Sequence, residues 1–243
     1  CNLGKEIKTW RGIQKVLLWG GFSAVCVLVL TDNLSTAIIV MGITCIMIFV
    51  VHPKTKPFVI LAVVGLACVI AGVKVLGTML ETSKNFRLRR ILVWLNPEGH
   101  AEDGGYQVLQ GLYAVGSGGF FGKGLGNSAQ KMIMPEVQND MILSIVCEEL
   151  GVFGVIIVLV LFGLLLYRLM FVAQNAPDMY GSLVVTGIFA HVALQAVLNI
   201  AVVTNLIPTT GITLPFISYG GTSSLFLMVE MGVALGVSRR IKI

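Results

Sequence analysis

Long apolar runs separated by short polar breaks dominate the pattern of this chain. Six runs are long enough to cross a bilayer as helices, which takes about 20 residues. The breaks contain residues that end helices or carry charge, such as Asp32-Asn33 after the first run and the Pro-containing turn 52–57 after the second. The pattern predicts membrane-spanning helices over 14–30, 34–51, 58–76, 141–171, 181–206 and 214–237.

A mostly polar stretch, 77–140, interrupts this pattern between the third and fourth predicted spans. Within it, 87–95 mixes three arginines with Trp94 and apolar residues, which is typical of a short amphipathic helix at a membrane surface. A second helix is predicted over 106–115. Residues 116–126 then form a glycine-rich loop that permits close backbone approach to a ligand and lacks the spacing of a P-loop.

Composition places the chain in one class of protein. Of its 243 residues 56% are hydrophobic and 12% are charged, whereas a soluble domain carries roughly 25% charged residues. We therefore predict an all-α integral membrane protein, a polytopic helix bundle forming one membrane domain over 1–243. The net charge of +5 comes from basic residues in short loops, which suits anionic lipid headgroups and argues against a nucleic-acid partner.

Lys and Arg in the short loops predict the orientation. They precede the first span, follow the second, end the fourth and end the chain, so they share one side if six spans alternate. That side is the cytoplasm by the positive-inside rule, which places the loop 77–140 outside. The chain starts at Cys1 within a sequence typical of an inter-helix loop, and we expect it to lack an N-terminal part.

Asp140 is the ionisable residue with the strongest functional signal. It ends the long loop and is followed directly by the apolar run that begins at Met141. A carboxylate at the mouth of a membrane span costs desolvation energy, which favours a functional role. The alternative interpretation is a cap at the start of the fourth helix.

Other polar residues inside the predicted spans favour structural roles. Glu148 and Glu149 are adjacent and face different sides of a helix, so they do not form a carboxylate pair. His191, Gln195 and Asn199 recur every four residues and predict one polar stripe that hydrogen-bonds to other helices. Glu230, deep in the last span, is interpreted in the same way.

Four stretches of the sequence carry a family resemblance. They are 32–37, then Gly105-Tyr106-Gln107 with the glycine-rich 118–126, then 135–140 followed by Glu148-Glu149-Leu150-Gly151, and finally 208–224. Together they resemble the SEDS family of polytopic cell-wall proteins (FtsW, RodA and SpoVE). Four residues depart from the usual ones: Asn33, Ser35, Asn139 and Met141. The resemblance implies ten membrane helices, of which six are present and four N-terminal ones are missing.

The resemblance also implies an activity, peptidoglycan glycosyl transfer. The substrate is lipid II and the product a lengthening glycan strand, made at the outer face of the bacterial cytoplasmic membrane with release of undecaprenyl pyrophosphate. The family's essential aspartate aligns with Asp140, the candidate base. Transfer from a pyrophosphate also needs positive charge, and the candidate substrate-binding residues are Arg87, Arg90, Lys123, Lys131 and Glu136. A divalent cation, Mg²⁺ or Mn²⁺, is a further candidate, with Asp140 or Glu136 as ligands.

Two other functions compete with this hypothesis. A lipid II flippase would show broken helices with charges near the bilayer midplane, whereas Asp140 lies at an outer edge. A non-catalytic scaffold of the division machinery would tolerate replacement of Asp140. Family members work with a class B penicillin-binding protein, a transpeptidase, so that protein and other division or elongation proteins are the expected partners.

Overall fold

The computed structural model describes residues 10–52, 60, 86–100, 104–134 and 136–241, and its regular secondary structure there is helical. Five helices are long and apolar enough to span a membrane, which supports the predicted all-α membrane class. The predicted third span, 58–76, lies outside the described residues apart from Ile60. The helices are α1 (Trp10–Thr31), α2 (Leu34–Val51), α3 (Phe86–Leu95), α4 (Gly105–Ser117), α5 (Ile142–Asn175), α6 (Met179–Val203) and α7 (Gly221–Ser238).

The break between α1 and α2 forms where the sequence predicts it. Asp32 adopts a left-handed backbone conformation with φ of 51°. The Asn33 side chain then accepts hydrogen bonds from the amides of Ser35 and Thr36, at 3.0 and 3.2 Å. An N-cap of this kind satisfies amides that have no partner within the helix, so Asn33 sets the start of α2.

The predicted start of the last span at Leu214 is wrong, because α7 begins at Gly221. The preceding segment is irregular: Phe216 has a φ of 64°, and the Ser218 hydroxyl accepts a hydrogen bond from the Leu214 amide at 2.7 Å. Pro215 supplies no amide hydrogen for a helix. The apolar residues before Gly221 therefore form a turn that is only partly buried: Leu214 is 1% exposed, whereas Phe216 is 42% exposed.

The chain divides into two compact units, and the first contains α1, α2, the later part of α5, most of α6, and α7. Its buried apolar core joins α5, α6 and α7 through Leu169, Val172, Ala173, Val185, Ile188 and Ala234. Polar side chains inside these helices also find partners within the unit. His191 Nδ1 lies 2.9 Å from Glu230 Oε1, so the predicted interhelical role of both residues is confirmed.

The second unit comprises 56–160 and 198–219, and it is built around a break in α5. Gly151 has φ of 70° and ψ of −170°, which interrupts the helix after the nine residues 142–150. In an unbroken helix, the amides of Val152 and Phe153 would bond to the carbonyls of Glu148 and Glu149. At the break these four groups need other partners.

The glycine-rich loop supplies those partners. The carbonyls of Gly119 and Phe120 accept from the amides of Val152 and Phe153, at 3.0 and 3.1 Å. In return, the amides of Lys123 and Gly124 donate to the carbonyls of Glu148 and Glu149, each at 2.9 Å. Two lost helical hydrogen bonds are thus replaced by four between loop and helix.

This pairing requires glycine because the two backbones are in contact. A Cβ at Gly118 would collide with the carbonyl oxygen of Cys147, and a Cβ at Gly122 with that of Glu149. Gly122 and Gly151 also have positive φ, at 78° and 70°. The close backbone approach predicted for this loop therefore occurs against the protein's own helix.

We predict that Gly118→Ala destabilises the protein while Gly116→Ala does not. Gly118 has an ordinary φ of −70°, so its substitution tests only the collision with Cys147. Overpacking of this kind costs about 1–3 kcal/mol. Gly116 lies in α4 with open space around its Cβ position and is the matched control. Thermal unfolding in detergent checks both variants, and equal melting temperatures would contradict the close packing described above.

Candidate active site

Asp140 lies between the long loop and the start of α5, with its carboxylate held by a side chain of α4. Gln107 Nε2 donates to Asp140 Oδ1 at 3.3 Å. Gln107 belongs to the first turn of α4, and Gly105 at the start of that helix packs against the carbonyls of Pro97 and His100. No first-turn amide of α5 donates to the Asp140 carboxylate among the described contacts, which argues against the helix-cap interpretation.

Asn199 of α6 fixes the backbone at Asp140. This fully buried side chain of α6 donates through Nδ2 to the carbonyl of Asp140 at 2.7 Å and to that of Ile212 at 2.8 Å. The amide of Tyr219 donates to the carbonyl of Gln138 at 2.9 Å, so the irregular segment before α7 also binds this loop. Helix α6, the irregular segment before α7 and, through Gln107, helix α4 together hold Asp140 in place.

Helix α3 brings a cation to this site. Arg90 is half-buried and donates through Nη1 to the carbonyl of Thr209 at 3.3 Å. One turn later, Trp94 Nε1 donates to the carbonyl of Asn205 at 2.9 Å, while Leu92 and Val93 are buried. The amphipathic helix predicted here is confirmed, and its inner face packs against protein.

Burial controls the ionisation of Asp140. Desolvation raises the pKa of the Asp140 carboxyl above its usual value. The positive charge of Arg90 and the hydrogen bond from Gln107 oppose this rise in pKa, and the negative charge of Glu136 adds to it. Asp140 therefore holds a proton more readily than an exposed aspartate, which is a property of carboxylates that transfer protons.

A second charged cluster lies at the break in α5. Glu148 is fully buried, and its Oε1 accepts from Lys123 Nζ at 2.7 Å. Its Oε2 accepts from the Ser128 hydroxyl at 2.5 Å and from the Gln130 amide at 3.3 Å. A buried carboxylate needs such a full set of donors to remain in place. The structural role predicted for Glu148 is confirmed, with loop residues as its partners.

The candidate substrate-binding residues occupy different positions. Arg90 and Glu136 act electrostatically on Asp140, whereas the ammonium group of Lys123 is engaged by Glu148. Lys131 is exposed in the turn Gln130–Met132, and the Arg87 side chain lies outside the described part of the structure. Their binding of substrate stays a prediction.

Sequence reasoning did not assign Gln107 or Asn199 to the site. Gln107 was visible only as part of the motif Gly105-Tyr106-Gln107, and Asn199 as one residue of a polar stripe. The stripe itself divides: His191 bonds to another helix, while Asn199 bonds to two irregular segments. Spacing along α6 indicated that these residues are buried, but it contained no information on which backbone carbonyls they meet.

The five spans and the half-buried carboxylate at a helix start define a polytopic helical membrane protein with a polar site at the mouth of a span. The chain belongs to the FtsW, RodA and SpoVE family, described as cell cycle proteins, whose sequence profile matches residues 5–243.

Named relatives agree with this assignment. The chain is 44% identical over 219 residues to stage V sporulation protein E of Bacillus subtilis, covering 90% of this chain and 58% of the relative. It is 37% identical over 228 residues to a probable peptidoglycan glycosyltransferase FtsW of Geobacter sp. strain M18, covering 93% and 59%. The chain thus spans less than two thirds of each relative's length.

Solved structures share the fold. A chain from the work "Structural coordination of polymerization and crosslinking by a peptidoglycan synthase complex" superposes with a TM-score of 0.68 and 26% identity, covering 91% of this chain and 60% of that one. The rod shape determining protein RodA of Thermus thermophilus superposes with a TM-score of 0.61 and 24% identity, covering 99% and 62%.

We predict an asymmetry between the two partners of the buried ion pair. Lys123→Met leaves the Glu148 carboxylate buried without its cation, and because Lys123 is partly exposed the loss costs about 2–3 kcal/mol. Glu148→Gln lets Lys123 turn to solvent and costs less. The double variant is expected to be more stable than Lys123→Met alone.

Melting temperatures of the two single variants and the double variant check this order. The interaction energy from the double-mutant cycle isolates the pair from its other hydrogen bonds. Additive losses, with the double variant the least stable, would contradict the ion pair. They would leave Lys123 available for the phosphate contact predicted from sequence.

Proposed function

We propose that the protein containing this chain is a peptidoglycan glycosyltransferase that polymerises lipid II, with Asp140 as the catalytic base. The observation that carries the proposal is the environment of Asp140, a half-buried carboxylate of raised pKa held by Gln107 beside the charge of Arg90. The names of the relatives and the structural neighbours support the same reaction class.

The proposed step is a glycosyl transfer in which one bond to the anomeric carbon forms as another breaks. The Asp140 carboxylate takes the proton from the hydroxyl of the acceptor sugar as that oxygen bonds to the anomeric carbon of the donor sugar. The bond from that carbon to the pyrophosphate oxygen breaks, and undecaprenyl pyrophosphate leaves with the electron pair. A carboxylate whose pKa is raised by burial binds the transferred proton more strongly than an exposed aspartate does.

Positive charge must offset the negative charge that develops on the leaving pyrophosphate. Arg90 is the cation whose charge acts on Asp140, and exposed Lys131 is a further candidate for contact with the pyrophosphate.

Within the described residues no three His, Cys, Asp or Glu side chains are grouped to hold a metal. If Mg²⁺ or Mn²⁺ takes part, Asp140 and Glu136 would be its protein ligands, together with substrate phosphates, and the ion would neutralise pyrophosphate charge.

The length of α5 favours chemistry at a membrane surface. Its segment after the break, 152–175, is about 36 Å long at 1.5 Å per residue. The segment 152–175 is by itself long enough to cross a hydrocarbon core of about 30 Å, so residues before the break need not lie in the core. Glu148 and Asp140 then lie at the edge of the bilayer, unlike the midplane charges expected of a transporter.

The proposal includes location and partners. The positive-inside pattern supports a location of Asp140 at the outer face, and we propose that this is the outer face of the bacterial cytoplasmic membrane, where lipid II displays its sugars. A synthase complex that couples polymerization with crosslinking has a chain of the same fold. We therefore propose a class B penicillin-binding protein as partner, within the division or elongation machinery.

Replacing Asp140 tests the proposal most directly. We expect Asp140→Asn and Asp140→Ala, in the full-length protein with its cognate transpeptidase, to lose at least about 100-fold of lipid II polymerisation, as for loss of a general base. Asp178→Asn, which changes an exposed carboxylate outside the site, is the matched control. Gel analysis of glycan strands measures the effect, and unchanged polymerisation by folded Asp140 variants would favour the scaffold function.

The pH profile of kcat/KM tests the role of Asp140 as base. Because its pKa is raised, the acid limb should lie above the range of an ordinary aspartate, about 3.9. Arg90→Gln removes a charge that lowers this pKa and should move the limb to higher pH. Glu136→Gln removes a charge that raises it and should move the limb to lower pH.

Arg90→Lys keeps the charge and serves as the control for the lost hydrogen bond to Thr209. Its acid limb is expected near that of the wild type, whatever its rate. Limbs that shift in the same direction for Arg90→Gln and Glu136→Gln would show that another group sets the profile.

A further inference from the structure

An aromatic cluster projects from the tip of the glycine-rich loop. The rings of Phe120 and Phe121 are 4.9 Å apart between centroids and meet edge to face. The Phe121 ring lies 6.5 Å from that of Phe153 in α5. All three rings are at least half exposed, and Phe121 is 78% exposed. Exposed apolar surface concentrated in this way indicates an interaction site.

The position of this cluster along α5 is set by backbone hydrogen bonds. The carbonyls of Gly119 and Phe120 accept from the amides of Val152 and Phe153. The aromatic tip is therefore fastened to the first turn of the helical segment that follows the break. It cannot move along α5 without breaking those bonds.

The length of the helical segment after the break indicates that this first turn lies near the edge of a bilayer. The segment 152–175 is about 36 Å long, so its ends lie near the limits of a hydrocarbon core of about 30 Å. Ile157 and Val160 follow Phe153 by four and seven residues, and they are 45% and 54% exposed. This spacing makes one apolar stripe along the helix, as on a surface that faces lipid. Phe121 extends the stripe at its end.

We infer that Phe120 and Phe121 form a lipid anchor, which inserts between the headgroups and acyl chains of the leaflet at this end of α5. Aromatic side chains at this depth hold a loop at the membrane interface. The anchor fixes the height of the loop whose Lys123 and Ser128 bind Glu148. The partner is lipid because the aromatic tip is continuous with the apolar stripe of a spanning helix.

The test places an environment-sensitive NBD label at Phe121→Cys in the full-length protein, in a background without its native cysteines, reconstituted in nanodiscs of phosphatidylglycerol and phosphatidylethanolamine. Ala129→Cys, exposed on the same loop outside the aromatic cluster, is the matched control. We expect a blue-shifted emission at 121 and loss of most of it when doxyl-labelled lipids are included. The label at 129 should be quenched instead by aqueous iodide.

Two results would overturn the inference. Quenching of the 121 label by iodide, as at 129, would show that the tip lies in water. Protection of the 121 label from both quenchers would show that protein covers it, either another part of the same chain or a second copy. Size-exclusion profiles matching the wild type establish that the labelled variants are folded.

Discussion

The exchange of backbone hydrogen bonds at Gly151 is the constraint on which the second unit depends. A helix that breaks leaves amides and carbonyls without helical partners, and where protein buries the break they have no water to bond to. The glycine-rich loop satisfies all four groups at once, through the carbonyls of Gly119 and Phe120 and the amides of Lys123 and Gly124. This exchange holds the loop against α5, within reach of the carboxylate of Glu148.

Glu148 and Asp140 show how burial leads to two different outcomes for the same chemical group. Glu148 is fully buried, and a lysine, a serine hydroxyl and a backbone amide satisfy it. Asp140 is half-buried and receives one side-chain hydrogen bond, while Arg90 only partly offsets desolvation. The first carboxylate is held as a structural ion and the second is left able to exchange a proton. A reacting hydroxyl needs the second kind of group.

The support around Asp140 comes from parts of the chain that are far apart. Asn199 of α6 binds its backbone, Gln107 of α4 binds its carboxylate, and Tyr219 binds the loop just before it. Orientation by several rigid elements is what the proposed role of Asp140 as a base requires, since small displacements of a reacting group reduce rates sharply. The irregular segment before α7 therefore has a positioning role, although its apolar composition resembles part of a span.

Hydrophobic periodicity and composition by themselves determined the membrane class, the bounds of α2 and the presence of α3 and α4, because these depend on local residue properties and on the length that a bilayer demands. The motif around Asp140 likewise singled out the candidate base. The sequence did not reveal that Lys123 would meet Glu148, that Asn199 would hold the backbone of Asp140, or that the last helix would begin at Gly221 rather than Leu214. Only the tertiary structure decided these, since each results from residues distant in sequence competing to satisfy buried backbone and charge.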